Sequence, residues 1–283
     1  MTLAFFSDVH ANLPALEAVF ADLDADPPDV LFCLGDLVGY APWPNEVVAA
    51  VRERRIPTLA GNYDEGVGLR SPDCGCAYKT PEDEARGARS IAFTNEVVTE
   101  ETRAYLRDLP RHLRLTFQPP RQPRAPKMEV LMVHGSPRRI NQYLFEDFPE
   151  KHLLRMMAEA GADVMLFGHT HKPYHRVLPY EADGETRYRH AINIGSVGKP
   201  KDGDPRACYV RLDLASDASA ADAGSVRVRF VRVAYDVERA ARTVEASPLP
   251  DAFAEMLRNG GCLQASPSGD SSHGHMRASG LSG

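Results

Sequence analysis

The sequence lacks a long apolar run and has no excess of basic residues. No segment of the 283 residues approaches the roughly 18 consecutive apolar residues that a membrane-spanning helix needs. The 33 basic and 39 acidic residues leave a formal charge of −6 at pH 7, which is the wrong sign for a broad nucleic-acid surface. We therefore expect no membrane partner and no broad nucleic-acid surface, and an anionic ligand must be attracted locally.

Paired cysteine spacing is also missing. The five cysteines are scattered and odd in number, unlike those of a disulfide framework or a four-ligand zinc site. We expect reduced thiols, and we assign no role to the Cys74-Gly75-Cys76 segment. The first residues have no basic segment before their short apolar stretch, so they do not resemble a secretory signal. The cytoplasm is the expected compartment.

Apolar periodicity predicts an α/β protein. Up to about Gly195, short apolar runs at residues 3–6, 30–34, 58–60, 130–133 and 164–167 alternate with helical periodicity, which predicts strands joined by crossover helices. Asn12 and Pro81 mark two helix starts. Alternating runs at 207–214 and 226–234 predict a second sheet facing the first, and helices are expected at 236–245 and 250–258.

The organisation predicted from composition is one domain and a tail. Residues 1–259 form the predicted single domain. The basic, proline-rich stretch at 118–127 reads as an exposed loop, because proline lacks a backbone donor and restricts its predecessor. Residues 260–283 are rich in Gly, Ser and His, and we expect them to be disordered because they have almost no large apolar side chain. The oligomeric state is not predicted.

Each of the five apolar runs before Gly195 ends in residues suited to bind a metal. In chain order the runs lead to Asp8 and His10, to Asp36, to Asn62 and Asp64, to His134, and to His169 and His171. In open α/β sheets, ligands bind beyond the carboxyl ends of the strands, so these side chains are expected to meet in one crevice. A single such Asp is more often a helix cap and a single His a core residue. Five together favour a functional site.

The residue types favour an open catalytic metal site. Carboxylates, imidazoles and an amide without thiolates suit Mn²⁺, iron or Zn²⁺. The seven candidate ligands are too many for one ion; they are Asp8, His10, Asp36, Asn62, His134, His169 and His171. A shared Asp can bridge two cations about 3.5–4 Å apart, which activates water and holds the oxygens of a phosphoryl group.

As a set, these motifs resemble the calcineurin-like metallophosphoesterase superfamily over about residues 1–234. The matching motifs are Asp8-x-His10, Gly35-Asp36-x-x-Gly39, Gly61-Asn62-x-Asp64, His134-Gly135 and Gly168-His169-x-His171. The downstream Asn193-Ile194-Gly195-Ser196-Val197-Gly198 segment is similar to the small bacterial and archaeal phosphodiesterase branch. The resemblance implies a four-layer αββα sandwich of two facing mixed sheets flanked by helices.

The resemblance also implies two divalent transition-metal ions, with manganese preferred and iron, zinc, nickel or cobalt as alternatives. One ion would be held by Asp8, His10, Asp36 and His171, and the other by Asp36, Asn62, His134 and His169. Asp36 would be the bridge. A hydroxide held between the ions would attack phosphorus.

The third motif departs from the family, which commonly has Gly-Asn-His-Asp where this chain has Tyr63. A phenol cannot become the cation that an imidazole becomes near neutral pH, although it can donate a hydrogen bond. Tyr63 is either such a donor or a packing residue. Asp36, Asn62, Tyr63 and Asp64 form the predicted catalytic group.

Two arginines follow the fourth motif. Arg138 and Arg139 are secondary candidates to contact a substrate phosphate, because a guanidinium offers a two-pronged donor; the alternative is that they are solvated loop charges. Lys199 and Lys201, beyond the glycine-rich turn, rank below them.

The predicted function is hydrolysis of phosphoesters, with phosphodiesters preferred and a small phosphorylated molecule as substrate. A protein phosphatase and a dinucleoside polyphosphate hydrolase are the alternatives within enzymes. The alternative of another class is a non-catalytic metal-binding scaffold.

Overall fold

The computed structural model describes residues 1–118 and 127–262, which form two mixed β-sheets with flanking helices. The strands are β1 (Thr2–Phe6), β2 (Val30–Cys33), β3 (His112–Phe117), β4 (Met128–Val133), β5 (Val164–Phe167), β6 (Tyr174–Ala182), β7 (Glu185–Asn193), β8 (Ala207–Leu214) and β9 (Val226–Val233). The helices are α1 (Leu13–Ala25), α2 (Pro44–Glu53), α3 (Asn62–Gly68), α4 (Pro81–Val97), α5 (Glu100–Arg107), α6 (Glu150–Glu159), α7 (Val237–Glu245) and α8 (Ala252–Arg258). A short 3₁₀ turn spans Ala223–Ser225.

One sheet has the strand order β2-β1-β8-β9 and the other β3-β4-β5-β7-β6. In the first sheet β1 and β2 are parallel, and in the second β4, β5 and β7 are parallel. The remaining pairs are antiparallel. Both sheets are therefore mixed.

Alternation along the strands builds the four layers. In β1, Leu3 and Phe5 belong to the apolar cluster between the sheets, whereas Ala4 and Phe6 belong to the cluster that includes α1 and α2. The same alternation in β5 separates an inter-sheet face from a face packed on α6. Each fully buried large side chain contributes about 1.5–3 kcal/mol. The predicted αββα sandwich is confirmed.

The predicted helix starts are confirmed by their caps. The side-chain oxygen of Asn12 accepts from Ala15 N (3.3 Å), ahead of the proline in the first turn of α1. Thr80 accepts from Asp83 N (3.1 Å) in front of Pro81 and begins α4. Both caps satisfy backbone donors that the first helical turn leaves unpaired.

Two sequence predictions of sheet structure are wrong. Residues 58–60 form only a single bridge, between Thr58 and Cys33, because Ala60 N donates to Pro110 O (2.8 Å) instead of to a strand. Strands β8 and β9 do not form the second sheet, since β8 pairs with β1, placing Phe5 opposite Val210. The facing sheet is completed by β3 and the β6–β7 hairpin.

Other predictions fall partly or wholly on undescribed residues. Most of the 118–127 loop and positions 263–283 of the tail lie outside the described residues. The first tail residues are ordered, because Gly203 N donates to Gly260 O (3.0 Å) and Gly261 N to Met256 O (2.7 Å). The division into one domain and a tail stays a prediction. Among the described residues, every helix is too short or too polar to cross a membrane.

Candidate metal centre

The fold brings all seven predicted metal ligands to the carboxyl ends of four strands. Asp8 and His10 follow β1, Asp36 follows β2, His134 follows β4, and His169 and His171 follow β5; Asn62 begins α3. The side chains are buried at the junction of the two sheets. Six of them form two groups, Asp8–His10–His171 and Asp36–His134–His169, whose ligand atoms lie within 4.8 Å of one another in each group.

Five of these residues have a left-handed backbone. The φ angles of Asp8, His10, Asp36, His169 and His171 lie between 49° and 65°, a region that costs non-glycine residues of order 1–3 kcal/mol each. Backbone hydrogen bonds between the loop after β1 and the loop after β2 help to hold this conformation. In one of them, His10 N donates to Asp36 O at 2.9 Å. Backbone strain of this kind concentrates at functional sites, where it directs side chains to one point.

The first group has two imidazoles with their ring nitrogens facing each other. His10 Nδ1 lies 3.1 Å from Val38 O and His171 Nδ1 lies 2.5 Å from Lys199 O, so we assign the proton to Nδ1 in both rings. The two Nε2 atoms are 3.1 Å apart, and His171 Nε2 is 3.2 Å from Asp8 Oδ1. Burial lowers the pKa of both histidines well below the ordinary value. Their Nε2 lone pairs therefore converge on the carboxylate.

The second group is organised in the same way. His134 Nδ1 lies 2.8 Å from Leu34 O, which directs Nε2 towards Asp36 Oδ2 at 3.4 Å and Asn62 Oδ1 at 3.1 Å. Burial opposes protonation of His134, but the adjacent Asp36 carboxylate raises its pKa to about 10. Burial lowers the pKa of His169 to about 2. Positive charge is thus favoured between His134 and Asp36.

The donor atoms fit divalent cations. Among the described residues, Asp8 Oδ1 and His169 Nε2 are buried without a hydrogen-bond partner, and unpaired buried polar atoms are costly. The Nε2 lone pairs of His10 and His171 also face each other, and their repulsion is a further cost. A cation in each group satisfies these atoms, and imidazole with carboxylate is the donor set that transition metals take. The residues present therefore fit metal ions in both groups.

Asp36 lies between the groups. Its Oδ1 accepts from Tyr63 N at 2.8 Å. Its Oδ2 lies 3.6 Å from His10 Nε2 and 3.4 Å from His134 Nε2. One carboxylate oxygen therefore faces a ligand from each group.

Two glycines allow this close approach. A Cβ on Gly61 would lie 2.1 Å from Asp36 Oδ1, and one on Gly168 would lie 2.3 Å from Asp8 Oδ2. Both distances are far below van der Waals contact, so any side chain at either position displaces a carboxylate of the centre.

Asp64 contacts backbone instead of the cavity. Its Oδ1 accepts from Leu37 N (2.8 Å) and its Oδ2 from Gly61 N (3.0 Å), and the side chain is fully buried. Burial, with the nearby Asp36 charge, raises its pKa to about 7. Asp64 therefore ties the loop that carries Asp36 to the loop that carries Asn62.

A cavity of about 290 Å³ opens above the two groups. Its wall includes His10, Asp36 and His169 together with aromatic and cationic side chains, namely Tyr40, Tyr63, Tyr78, Tyr143, Phe253, Lys79, Arg86, Lys199 and Lys201. Lys199 Nζ lies 4.1 Å from the centre of the Tyr40 ring, a cation–π contact. Neither Lys199 nor Lys201 forms an ion pair with a carboxylate in the described part of the chain.

Tyr63 lies in this cavity wall. Its ring is fully buried, 4.8 Å from that of Tyr40 and 5.4 Å from that of His10. Its hydroxyl has no hydrogen-bond partner within residues 1–118 and 127–262, and burial raises its pKa well above the ordinary value. The phenol therefore keeps its proton.

The two arginines proposed from the sequence as phosphate contacts do not line this cavity. Arg138 and Arg139 line a second cavity, of about 310 Å³, which shares His134 with the ligand set. Arg138 pairs with Glu159 at 2.6 Å on the surface. Lys199 and Lys201, the weaker candidates from the sequence, line the cavity above the metal ligands instead.

In the sequence, the glycine-rich turn before Lys199 points to these two lysines. No pattern in the sequence points to the aromatic wall of Tyr40, Tyr78 and Tyr143.

Two facing mixed sheets with candidate metal ligands at the carboxyl ends of their strands agree with a metal-dependent phosphoesterase. Residues 1–217 match the family model of the calcineurin-like phosphoesterase superfamily domain. The chain belongs to this superfamily, whose members are metal-dependent, and is a hydrolase of phosphoric esters.

The chain is also similar to individual proteins from archaea and bacteria. An uncharacterized protein of Methanocaldococcus jannaschii is 31% identical over 267 residues, covering 90% of this chain and 96% of its own. The crystal structure of a metallophosphoesterase from Sphaerobacter thermophilus is 29% identical, with a TM-score of 0.66 over 92% of this chain and 99% of that one. A hypothetical protein of Pyrococcus horikoshii, 22% identical, shares the fold with a TM-score of 0.70 over 92% and 98% of the chains.

Proposed function

We propose that this phosphoesterase is a dinuclear enzyme that prefers phosphodiesters. The observation that carries the proposal is the position of Asp36 Oδ2 between His10 Nε2 (3.6 Å) and His134 Nε2 (3.4 Å). A carboxylate with a ligand of each group on either side suits a bridge between two cations.

The proposed ligand sets share Asp36. One ion would be held by Asp8, His10, Asp36 and His171, and the other by Asp36, Asn62, His134 and His169. Oxygen and nitrogen donors without thiolate favour Mn²⁺, with iron, zinc, nickel or cobalt as alternatives. When bound, such ions lower the pKa of water and neutralise charge on phosphoryl oxygens.

The chain's own residues bind and orient the ester. Lys199 and Lys201 have no carboxylate partner in the described structure. Burial lowers the pKa of both ammonium groups, that of Lys199 well below its ordinary value, and a bound phosphoryl anion would favour their charged form. The Tyr63 hydroxyl, buried and unpaired, is a donor for an ester oxygen. Asp64 acts as a positioning residue, because both of its carboxylate oxygens already accept from backbone amides.

The cavity wall supports the preference for diesters, and Tyr63 supports a preference for good leaving groups. A phenol whose pKa is raised by burial is a poor acid, so esters whose leaving group needs little protonation are hydrolysed best. The aromatic side chains beside the metal ligands accommodate a second organic group on phosphorus. We expect a small phosphorylated substrate.

The test is a substrate screen after reconstitution with Mn²⁺. An aryl phosphodiester, the matching monoester, a phosphopeptide and a dinucleoside polyphosphate are compared, with Asp36→Ala as the blank. Asp108→Ala is the matched control, because the Asp108 side chain is 77% exposed. We expect the diester to be hydrolysed fastest by the parent and by the control.

Other outcomes decide between the alternatives. Turnover of the phosphopeptide or the polyphosphate without the diester would identify a protein phosphatase or a polyphosphate hydrolase instead. Mn²⁺ binding with no turnover of any substrate would favour the non-catalytic scaffold.

We also infer a reducing compartment, the cytoplasm, because all five cysteines are free thiols.

A further inference from the structure

The Cys74-Gly75-Cys76 segment lies directly against the metal centre. Its two Sγ atoms are 3.3 Å apart. Cys74 is buried, whereas Cys76 is partly exposed and forms part of the wall of the cavity above the metal ligands. A small molecule that enters this cavity therefore meets the Cys76 sulfur first, with the Cys74 sulfur behind it.

The same segment orients a metal ligand. Asn62 Nδ2 donates to Cys74 O at 2.9 Å and to Cys76 Sγ at 3.3 Å. With the amide nitrogen fixed on this side, Oδ1 faces His134 Nε2 at 3.1 Å. The segment thus determines which end of the Asn62 amide points to the metal.

The loop itself is held in place. Gly75 has φ +68°, and a Cβ there would lie 2.5 Å from the Asn141 side-chain nitrogen. Gly75 N donates to Asp73 Oδ1 (2.8 Å), and Asn141 Nδ2 donates to Gly75 O (2.9 Å). These contacts keep the two sulfurs on the same side of the loop.

We propose that Cys74 and Cys76 are a reversible oxidation site that controls metal binding through Asn62. The oxidant is a peroxide. The Cys76 sulfur attacks one oxygen of hydrogen peroxide, so that the S–O bond of a sulfenic acid forms, the O–O bond breaks and the other oxygen leaves as water. The Cys74 sulfur then attacks the Cys76 sulfur, so that the S–S bond forms, the S–O bond breaks and the oxygen on Cys76 leaves as water. The two thiol protons end in the two waters, and the peroxide is reduced by two electrons.

Closing the disulfide disturbs one of the two contacts that support Asn62, the one to Cys76 Sγ, and leaves the one to the Cys74 carbonyl. An S–S bond is about 2.05 Å long, so the sulfurs must move together and away from their present separation of 3.3 Å. The Cys76 thiol can then no longer hold the amide in its present geometry. Losing such a supporting contact typically weakens metal binding by about 10–100-fold. This consequence rests on the dinuclear centre proposed above, and it falls on the ion that Asn62 binds.

The experiment treats the full chain, loaded with Mn²⁺, with hydrogen peroxide. Disulfides are mapped by mass spectrometry of peptides, and bound Mn²⁺ per chain is measured after gel filtration. We expect a Cys74–Cys76 link that leaves three of the five thiols free, loss of one of two Mn²⁺ ions, and recovery of both changes with dithiothreitol.

Three serine variants make the test specific. Cys76→Ser keeps a polar group beside Asn62 but cannot form the disulfide, so its Mn²⁺ content should resist peroxide. Cys74→Ser should stop at an oxidised Cys76. Cys262→Ser, at an exposed cysteine, is the control and should behave like the parent.

Thiol mapping and metal content separate the possible failures. Oxidation at other cysteines without a Cys74–Cys76 link overturns the modification site, whatever the enzyme's activity. A complete link with unchanged Mn²⁺ content overturns the coupling to Asn62. Failure of the dinuclear proposal is distinguishable, since the untreated parent would then hold fewer than two ions.

Discussion

Replacing Asp64 distinguishes a positioning residue from a catalytic one. Asp64→Ala removes the acceptors of two buried backbone amides, those of Leu37 and Gly61. Each buried donor left unsatisfied costs about 1–3 kcal/mol, so the free energy of unfolding should fall by about 2–6 kcal/mol. At about 2 °C per kcal/mol for a chain of this size, the melting temperature should fall by about 4–12 °C.

The conservative variant Asp64→Asn should lose about half as much. Its amide oxygen can accept from one of the two backbone amides, but its amide nitrogen faces the other donor. We expect a decrease of about 1–3 kcal/mol. Thermal unfolding of the metal-free chain, followed by circular dichroism, measures both changes. Asp108→Ala, at an exposed carboxylate, should change the stability by less than about 0.5 kcal/mol.

The same variants should bind Mn²⁺ more weakly, because Asp64 joins the loops that carry Asp36 and Asn62. Turnover at saturating Mn²⁺ should then recover much of the parent value. An Asp64→Asn enzyme that melts and binds Mn²⁺ like the parent but has lost turnover would refute this reasoning and make Asp64 a catalytic residue.

Three further predictions concern the site. Tyr63→Phe should lower turnover of an activated aryl diester less than Asp36→Ala does; equal losses in the two variants would contradict this ranking, and unchanged turnover in Tyr63→Phe would contradict the proposed donor role. Lys199→Met and Lys201→Met should each raise KM for the diester about 10-fold, as expected for a lost charged contact of about 1.4 kcal/mol. Lys151→Met, at an exposed position, is the control and should leave KM unchanged. Unchanged KM in both Lys199→Met and Lys201→Met would exclude their contact with phosphate. A chelator should lower the melting temperature, and Mn²⁺ at about 100 times its Kd should restore about 2.7 kcal/mol; a melting temperature indifferent to both would argue against metal in the folded site.

The metal ligands were predictable because chemistry and topology coincide in them. Each follows an apolar run, and parallel strands bring their carboxyl ends together whatever the rest of the sheet does. Asp8, Asp36 and His134 therefore converge although β1 and β2 belong to one sheet and β4 to the other. These three positions do not depend on which sheet β8 and β9 join.

Strand partners were not predictable from alternation. The pattern at 207–214 shows that β8 has two different faces, but it does not specify whether β8 adds to the sheet of β1 or begins another. Residues 58–60 are apolar like a strand, yet the carbonyl of Pro110 accepts from Ala60 N and ends the ladder. Both outcomes depend on contacts distant in sequence.

The roles of the auxiliary residues depend on loop geometry. Arg138 and Lys199 both follow a motif by a few positions, and only the fold shows that Lys199 lies in the cavity above the ligands while Arg138 pairs with Glu159. Similarly, the contact of Cys76 with Asn62 requires the turn at Gly75. Such contacts depend on the conformation of the loops, and no periodic pattern in the sequence predicts them.

Titration of the metal-free chain with Mn²⁺, with bound metal and hydrolysis of an aryl phosphodiester both measured, tests whether two ions share Asp36. We expect two ions per chain, with hydrolysis appearing as the second ion binds, and neither in Asp36→Ala. Saturation at one ion with full hydrolysis, or hydrolysis that persists without metal, would contradict it.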